Sequence, residues 1–245
     1  MNDAYLNKIS DLERRAHDRN IVTSVGFLDP AEQAGARKLL RSRYLFCGGY
    51  EGAERKFLFF LPDYMEEENL DASEYIVAYA AACPFGAPSH RDYLGALLGL
   101  GIKRECIGDI IVEDGGATVI VDGKIAPFVE ANFDKVGKFG VRLTRVALAS
   151  ICAAEPAHTV ITATVATPRL DAVTSAAFRV SRSLAADAVH SGSVNVNFLE
   201  VLNPAAILHE GDLISWRGHG RAKLSTIGGT SKKGRMFIEI FAYIK

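Results

Sequence analysis

The order of apolar segments between residues 74 and 149 constrains the fold more than any other feature of the chain. EYIVAYAAA has the length of a buried strand, SHRDYLGALLGLG has helical spacing, and CIGDIIVED and ATVIVDG are two further strand-like runs. Gly115 and Gly116, between the last two, suit a tight hairpin turn that needs positive φ. IAPFVEANFDKVG reads as a second helix and VRLTRVALA as a fourth strand. That succession, βαββαβ, predicts a ferredoxin-like or RRM-like domain. Gly101 is expected to end the first helix, and Gly95 and Gly99 to let it pack closely on its sheet. The three glycines do not lie between a strand and a helix start, so they form no dinucleotide-binding loop.

The flanking segments have their own signatures. Near the N-terminus Tyr5, Leu6, Ile9, Leu12 and Ala16 share one side at helical spacing. DPAEQAGARKLL predicts a second helix with Asp29 as N-cap, Pro30 in the first turn and Glu32 closing a capping box. YLFCG and KFLFFLP flank the turn GGYEGAE as a β-hairpin, and the acidic MEEENLDASE marks the exit of this unit. After the middle domain, HTVITATVA is an additional apolar strand leading to Pro168. Further on, LISW and MFIEIFAYI read as strands, with GHG and IGGTSKKGR as basic glycine-containing loops. The expected organisation is α+β: an N-terminal α+β domain at 1–72, a ferredoxin-like domain at 73–166 and a C-terminal domain at 167–245.

Composition excludes several classes. The first twenty residues carry charges throughout and lack the apolar core of a secretory signal. No apolar run approaches the roughly 20 residues that span a bilayer. A cytoplasmic location is therefore expected. Cys47, Cys83, Cys106 and Cys152 are scattered, and the six histidines complete no ligand cluster, so neither a metal nor another cofactor is expected. The net charge is −1, but residues 168–245 hold ten Lys and Arg against six Asp and Glu, while residues 1–167 carry −5. A basic C-terminal third suits a localised surface for a polyanion. The HRD triplet at His90 resembles a kinase catalytic loop, but the position of its magnesium-binding asparagine is Leu97. Ser89 and Asp92 explain the triplet as a helix start.

The stretch 169–197, RLDAVTSAAFRVSRSLAADAVHSGSVNVN, reads as two short helices and a strand. Asp171 is expected to cap the first helix and Ser181 the second, with Gly192 at the left-handed stop. Arg182, Ala185, Ala186, Val189 and His190 fall on one face of the second helix, with Leu184 and Ala188 expected toward the core. Ser181 and Arg182 at a helix N-terminus can hold a phosphate, and the arginine fork suits its oxygens. Asn195 and Asn197 are expected to project polar groups from a strand edge. The RLDAVTS segment also resembles the catalytic aspartate context of pseudouridine synthases. Only 74 residues follow Asp171, too few for the large sheet such an active site needs.

Arg169-Leu170-Asp171, Ser181-Arg182, Ala185, Gly192, Val194, Asn197 and Gly211-Asp212 resemble the signature of S4-like RNA-binding modules over about 169–224. His190 and Ala177 depart from it, where a basic residue and leucine are common. With HRDYLGALLGLGIKRECIGDIIV and the order of domains, nearly the whole chain resembles the YlmH-like family of bacterial and plastid S4-domain RNA-binding proteins. The resemblance implies a non-enzymatic protein bound to rRNA or tRNA on the large ribosomal subunit, acting in quality control of stalled nascent chains. The expected partners are structured RNA and that subunit, with no membrane and no DNA. The expected RNA contacts are Arg169, Arg179, Ser181, Arg182, His190, Asn195, Asn197, Arg217, Arg221 and Lys223, with Lys103 and Arg104 secondary. Two rival readings are an RNA-modifying enzyme of pseudouridine-synthase type centred on Asp171, and a protein-docking module without RNA. The strands of the middle domain lack the paired exposed aromatics by which RRM sheets stack bases, so base reading is not expected there.

Overall fold

The computed structural model describes residues 3–152, 158–231 and 234–243. The side chains of residues 3–6 lie outside that description, and with them the expected placement of Tyr5 and Leu6. The chain divides into two compact units, residues 1–153 and 154–245.

In the first unit α1 (Asp3–Arg19) buries Ile9 and Ala16. It is followed by β1 (Thr23–Leu28) and α2 (Pro30–Arg37). The α2 capping box forms as its residues dictate: Asp29 accepts the Glu32 N–H at 2.8 Å, and Glu32 accepts the Asp29 N–H at 2.7 Å. β2 (Tyr44–Cys47) and β3 (Lys56–Phe60) make the expected hairpin, and β1 joins to give the order β1-β3-β2.

The rest of the unit is β4 (Ile76–Ala82), α3 (His90–Gly99), β5 (Ile107–Glu113), β6 (Gly116–Asp122) and α4 (Ala126–Asn132). A small hairpin, β7 (Lys135–Val136) and β8 (Phe139–Gly140), precedes β9 (Arg142–Val146). Strand order β5-β6-β4-β9 with every pairing antiparallel is the ferredoxin-like arrangement. At α3 the Asp92 carboxylate accepts both the N–H and the hydroxyl of Ser89. Gly101 follows the helix at φ +83°, whereas a Cβ on Gly95 or Gly99 would meet open space. Those two glycines therefore do not serve close packing on the sheet, because they sit on the outward side of α3.

Both faces of β4 are covered, which explains its unbroken apolar run. Val77, Tyr79 and Ala81 pack with Tyr93 and Leu97 of α3 and Val129 of α4. Ile76 and Ala78, with Ile120, pack instead on Phe27, Phe57 and Phe59 of the β1-β3-β2 sheet. Gly26 lets β1 approach closely, since a Cβ there would run into the Glu105 carbonyl oxygen. Polar contacts close the same seam. Asp109 accepts from the Tyr50 hydroxyl at 2.8 Å and from the N–H groups of Glu54 and Arg55 at 2.7 and 3.1 Å. Burial and the Asp109 charge push the Tyr50 phenol above its ordinary range.

The Arg55 guanidinium donates to the carbonyls of Ile107 at 3.0 Å, Phe27 at 2.7 Å and Arg104 at 3.3 Å. Arg55→Ala would leave these part-buried acceptors without that donor, at about 1–3 kcal/mol for each one that water cannot reach. A loss of about 2–3 kcal/mol is expected in urea unfolding of the full chain. A change below about 0.5 kcal/mol would show that the guanidinium is dispensable.

The second unit begins with β10 (Thr159–Val165), α5 (Leu170–Phe178) and α6 (Arg182–His190). Then come β11 (Val194–Val196), β12 (Leu199–Glu200), β13 (Leu213–Trp216), β14 (Gly220–Thr230) and β15 (Met236–Tyr243). They form one sheet in the order β10-β15-β14-β13-β11-β12. The HTVITATVA strand, read from sequence as the tail of a domain ending at 166, is β10 of this sheet. It pairs with β15 from Thr159↔Ala242 to Val165↔Met236, because its alternating Ile161, Ala163 and Val165 match the apolar face of β15. The first part of IGGTSKKGR, expected as a loop, continues β14 to Thr230 with irregular register; Lys232 and Lys233 lie outside the described residues.

Leu170, Val173 and Phe178 of α5 and Val189 of α6 close the core over Val194, Ile214, Trp216, Leu224 and Ile240. The facing of α6 differs from the sequence reading. Ala185 and Val189 are fully buried and Leu184 is 49% exposed. α5 and α6 are joined by a three-residue link, 179–181. Small side chains turned inward let their axes approach. Leu184 in that stripe would hold them apart.

Candidate nucleic-acid interface

The RLD triplet is built differently from a helix cap. The free N–H groups at the start of α5 are satisfied by backbone: Leu170 donates to Ala206 O at 2.8 Å and Asp171 to Pro204 O at 3.0 Å. Arg169 is the N-cap and makes no side-chain cap bond. The Asp171 carboxylate is therefore available for another task. It accepts from Arg169 Nε and Nη2 at 3.2 and 3.0 Å, and from Arg182 Nε and Nη2 at 3.1 and 3.1 Å. Both guanidinium forks are thus held bidentate on one carboxylate, whose side chain is only 7% exposed. Burial raises its proton affinity, but the hydrogen bonds and charges of the two arginines outweigh it and hold the carboxyl below its ordinary range.

Arg169 and Arg182 remain 38% and 57% exposed at the side chain. Each spends two of its five donors on Asp171, leaving three that can face outward. They line a cleft of about 280 Å³ together with Arg235. Arg235 is anchored by Nε and Nη2, which donate to the side chain and carbonyl of Thr164. Ser181 caps α6, its Oγ accepting from Leu184 N at 3.2 Å, so the first turn of α6 also adjoins this region. Three guanidiniums near a helix N-terminus are groups able to take up one phosphate, and the Asp171 carboxylate holds two of them in place.

The other candidates separate into distinct roles. Asn195, Arg217 and Arg221 line a second cavity, at the β13–β14 turn, together with Trp216 and His219. Asn197 is structural: at φ +49° its amide donates to Asp212 at 2.7 Å and accepts from Leu213 N at 2.9 Å. Asp212 also accepts from His209 N, so the Asn197 and Gly211-Asp212 part of the signature is a turn lock rather than an RNA contact. It does not project from an edge, because β12 continues the sheet beyond β11. Arg179 is the left-handed cap of α5 at φ 55°, and His190 ends α6; both are exposed and line neither cavity. Lys223, on β14, pairs with Leu213 of β13. In the first unit Lys103 is exposed, but Arg104 is spent on the Ile107 carbonyl at 2.7 Å, and burial lowers its pKa. Arg104 is a clamp on the β5 start rather than a free phosphate contact.

Sequence reasoning missed Arg235, Trp216 and His219. The signal for the last two was present in WRGHGR, where aromatic and basic residues interleave around glycines. Arg235 lay in a loop recognised as basic, but its partner Thr164 is 71 residues away.

Residues 67–150 match the family described as "Putative RNA-binding domain in YlmH". The chain is 33% identical over 237 residues to the "Ribosome-associated protein quality control protein P2" of Bacillus subtilis (strain 168), covering 95% of this chain and 91% of that protein. Its fold is similar to that of the "Cell division protein ylmH from Streptococcus pneumoniae", with a TM-score of 0.53 and 18% identity over 59% of this chain and 90% of the other.

Proposed function

The chain belongs to the YlmH family, and from that premise we propose that it is a non-enzymatic RNA-binding protein of the ribosome, gripping an RNA phosphate in the arginine cleft of its C-terminal unit. The observation that carries the reading is the Asp171 carboxylate holding two guanidinium forks toward a cleft with a third arginine. The RNA-binding and ribosome-associated part of the reading is supported by the family match at 67–150 and by the Bacillus subtilis relative, a ribosome-associated quality control protein. In the finer form of the proposal, the RNA is rRNA of the large subunit or the tRNA of a stalled nascent chain, and the protein works in the cytoplasm. Among the described residues no helix is long and apolar enough to cross a membrane.

The rival enzymatic reading is disfavoured by the same geometry. A nucleophilic or basic Asp171 would need a lone pair directed at substrate, and its two oxygens accept four N–H bonds from Arg169 and Arg182. In the family-matched segment, the sheet face that RRM domains offer to bases is filled over Ile76, Ala78 and Ile120 by Phe27, Phe57 and Phe59. Any RNA contact of that segment therefore uses another surface.

Sedimentation of the full chain with purified large subunits, at salt between about 50 and 200 mM, tests the reading. Co-sedimentation should fall steeply with salt, because phosphate contacts release counterions. Crosslinking in cells should recover rRNA or tRNA fragments. Binding that ignores salt, with no RNA crosslinked, would favour protein docking instead.

A further inference from the structure

We propose that the cavity at the β13–β14 turn is a pocket for one unpaired RNA base, a contact separate from the arginine cleft that rests on the RNA-binding reading above. The cavity measures about 590 Å³. One wall is a rigid aromatic stack: the rings of Trp216 and His219 lie 4.0 Å apart at 20°. The stack is fixed from beneath by Phe178, edge-on to Trp216 at 5.4 Å and 87°. Gly218 and Gly220, at φ +84° and +113°, let the turn fold back so that the His219 N–H reaches Trp216 O at 3.0 Å. Trp216 is 6% exposed and His219 lies open to solvent, so the imidazole is the outward ring of the pair.

The rest of the lining supplies what a nucleotide needs beyond stacking. Arg217 and Arg221 provide positive charge, and Arg221 stands 5.3 Å over the Phe198 ring. Asn195 offers an amide, which can both donate to and accept from a base edge. No carboxylate is among the described residues that line the cavity. Aromatic rings with flanking arginines and one polar edge are how proteins hold splayed-out bases. A double helix keeps its bases stacked inside and cannot enter such a pocket.

The placement suits a single strand that also reaches the arginine cleft. Arg182 lines that cleft at the start of α6, and Gly192, just past its end, lines the cavity. Nine residues of helix separate the two by about 14 Å. A stacked strand advances about 3.4 Å per nucleotide, so about four or five nucleotides bridge them.

The chain has one tryptophan, so its fluorescence reports on this cavity directly. The probes are an eight-nucleotide oligoadenylate, a blunt eight-base-pair RNA duplex, and AMP, with duplex binding followed by filter binding because it need not reach Trp216. Oligoadenylate should quench Trp216 saturably, and AMP should bind at least tenfold more weakly. His219→Ala should weaken oligoadenylate binding about tenfold, the lower part of the range for removing one base stack, and leave the duplex unchanged. His219→Phe should stay within about twofold of the parent, which separates lost stacking from lost folding. Arg182→Ala should weaken both RNAs. If His219→Ala leaves oligoadenylate binding intact, or weakens both RNAs equally, the pocket is not a base site although the arginine cleft stands. AMP binding as tightly as the oligomer would make it a free-nucleotide site and overturn the RNA assignment. Should the parent chain bind neither RNA, the RNA-binding reading falls first and this inference with it.

Discussion

Replacing Arg169 and Arg182 together with alanine is expected to weaken RNA binding about a hundredfold at about 0.1 M salt. A charge-assisted hydrogen bond is worth about 1.5–3 kcal/mol, and both arginines are partly exposed, so screening holds each near the lower value. The salt dependence should change with the affinity. Each lost phosphate contact lowers the slope of log K against log salt by about 0.9 on a duplex or about 0.7 on a single strand, so the double variant should lose roughly 1.4–1.8. The double lysine exchange, Arg169→Lys with Arg182→Lys, gives the sharper test. Charge is kept and Asp171 is still neutralised, so the slope should stay near that of the parent. Affinity should nonetheless drop about tenfold, because an ammonium cannot hold a carboxylate and a phosphate with a planar fork. Equal binding by the lysine variant would reduce the cleft to a point-charge effect, and filter binding at several salt concentrations measures all of it.

Asp171→Asn carries the second large effect, and charge alone gives its sign the wrong way round. Removing an anion beside a phosphate site should tighten RNA binding. If Asp171 instead positions the two guanidiniums, the asparagine amide cannot accept four N–H bonds from them, and binding should weaken about five- to tenfold. The fold should lose about 2 kcal/mol as well. That lies below the roughly 3–5 kcal/mol typical of a broken buried pair, because Arg169 and Arg182 can turn into water. Trp216 lies in the core of the same unit, so its fluorescence follows the unfolding. The folded carboxyl titrates below its ordinary value. Its contribution is therefore complete above about pH 5 and is lost as acid protonates it below the unfolded value of about 3.9. The parent chain should lose stability over that acid range more steeply than the variant. Tighter RNA binding by the variant would refute positioning. A lost modified nucleoside with binding intact would restore the catalytic reading.

The two arginines show where sequence reasoning reaches and where it stops. Their residue types, next to a helix start, are enough to nominate them. Local pattern makes Asp171 a cap, because an aspartate at the head of a helix commonly serves as one. The loop carrying Pro204 and Ala206 takes that role instead, from a distant part of the chain. Asn197 errs in the opposite direction. Its place on a strand suggests a reader of RNA, and the turn at Asp212 and Leu213 uses both ends of its amide. In each case the deciding partner is remote in the chain, and a polar side chain does not announce which of several acceptors it will meet.

What the sequence determined alone is the set of local choices. The βαββαβ order, the β2–β3 hairpin, the Asp29–Glu32 and Ser181 caps and the left-handed Gly192 follow from patterns spanning one or two turns of backbone, where neighbours are set by covalent geometry. Only the tertiary structure decided which faces were covered. β10 joined the C-terminal sheet, α6 turned Ala185 inward and Leu184 outward, and three phenylalanines filled the sheet face that RNA could have used. Asp171 drew in an arginine eleven residues away. Several faces of an element can bury comparable apolar area, so the choice among them falls to packing and remote hydrogen bonds that no local pattern encodes.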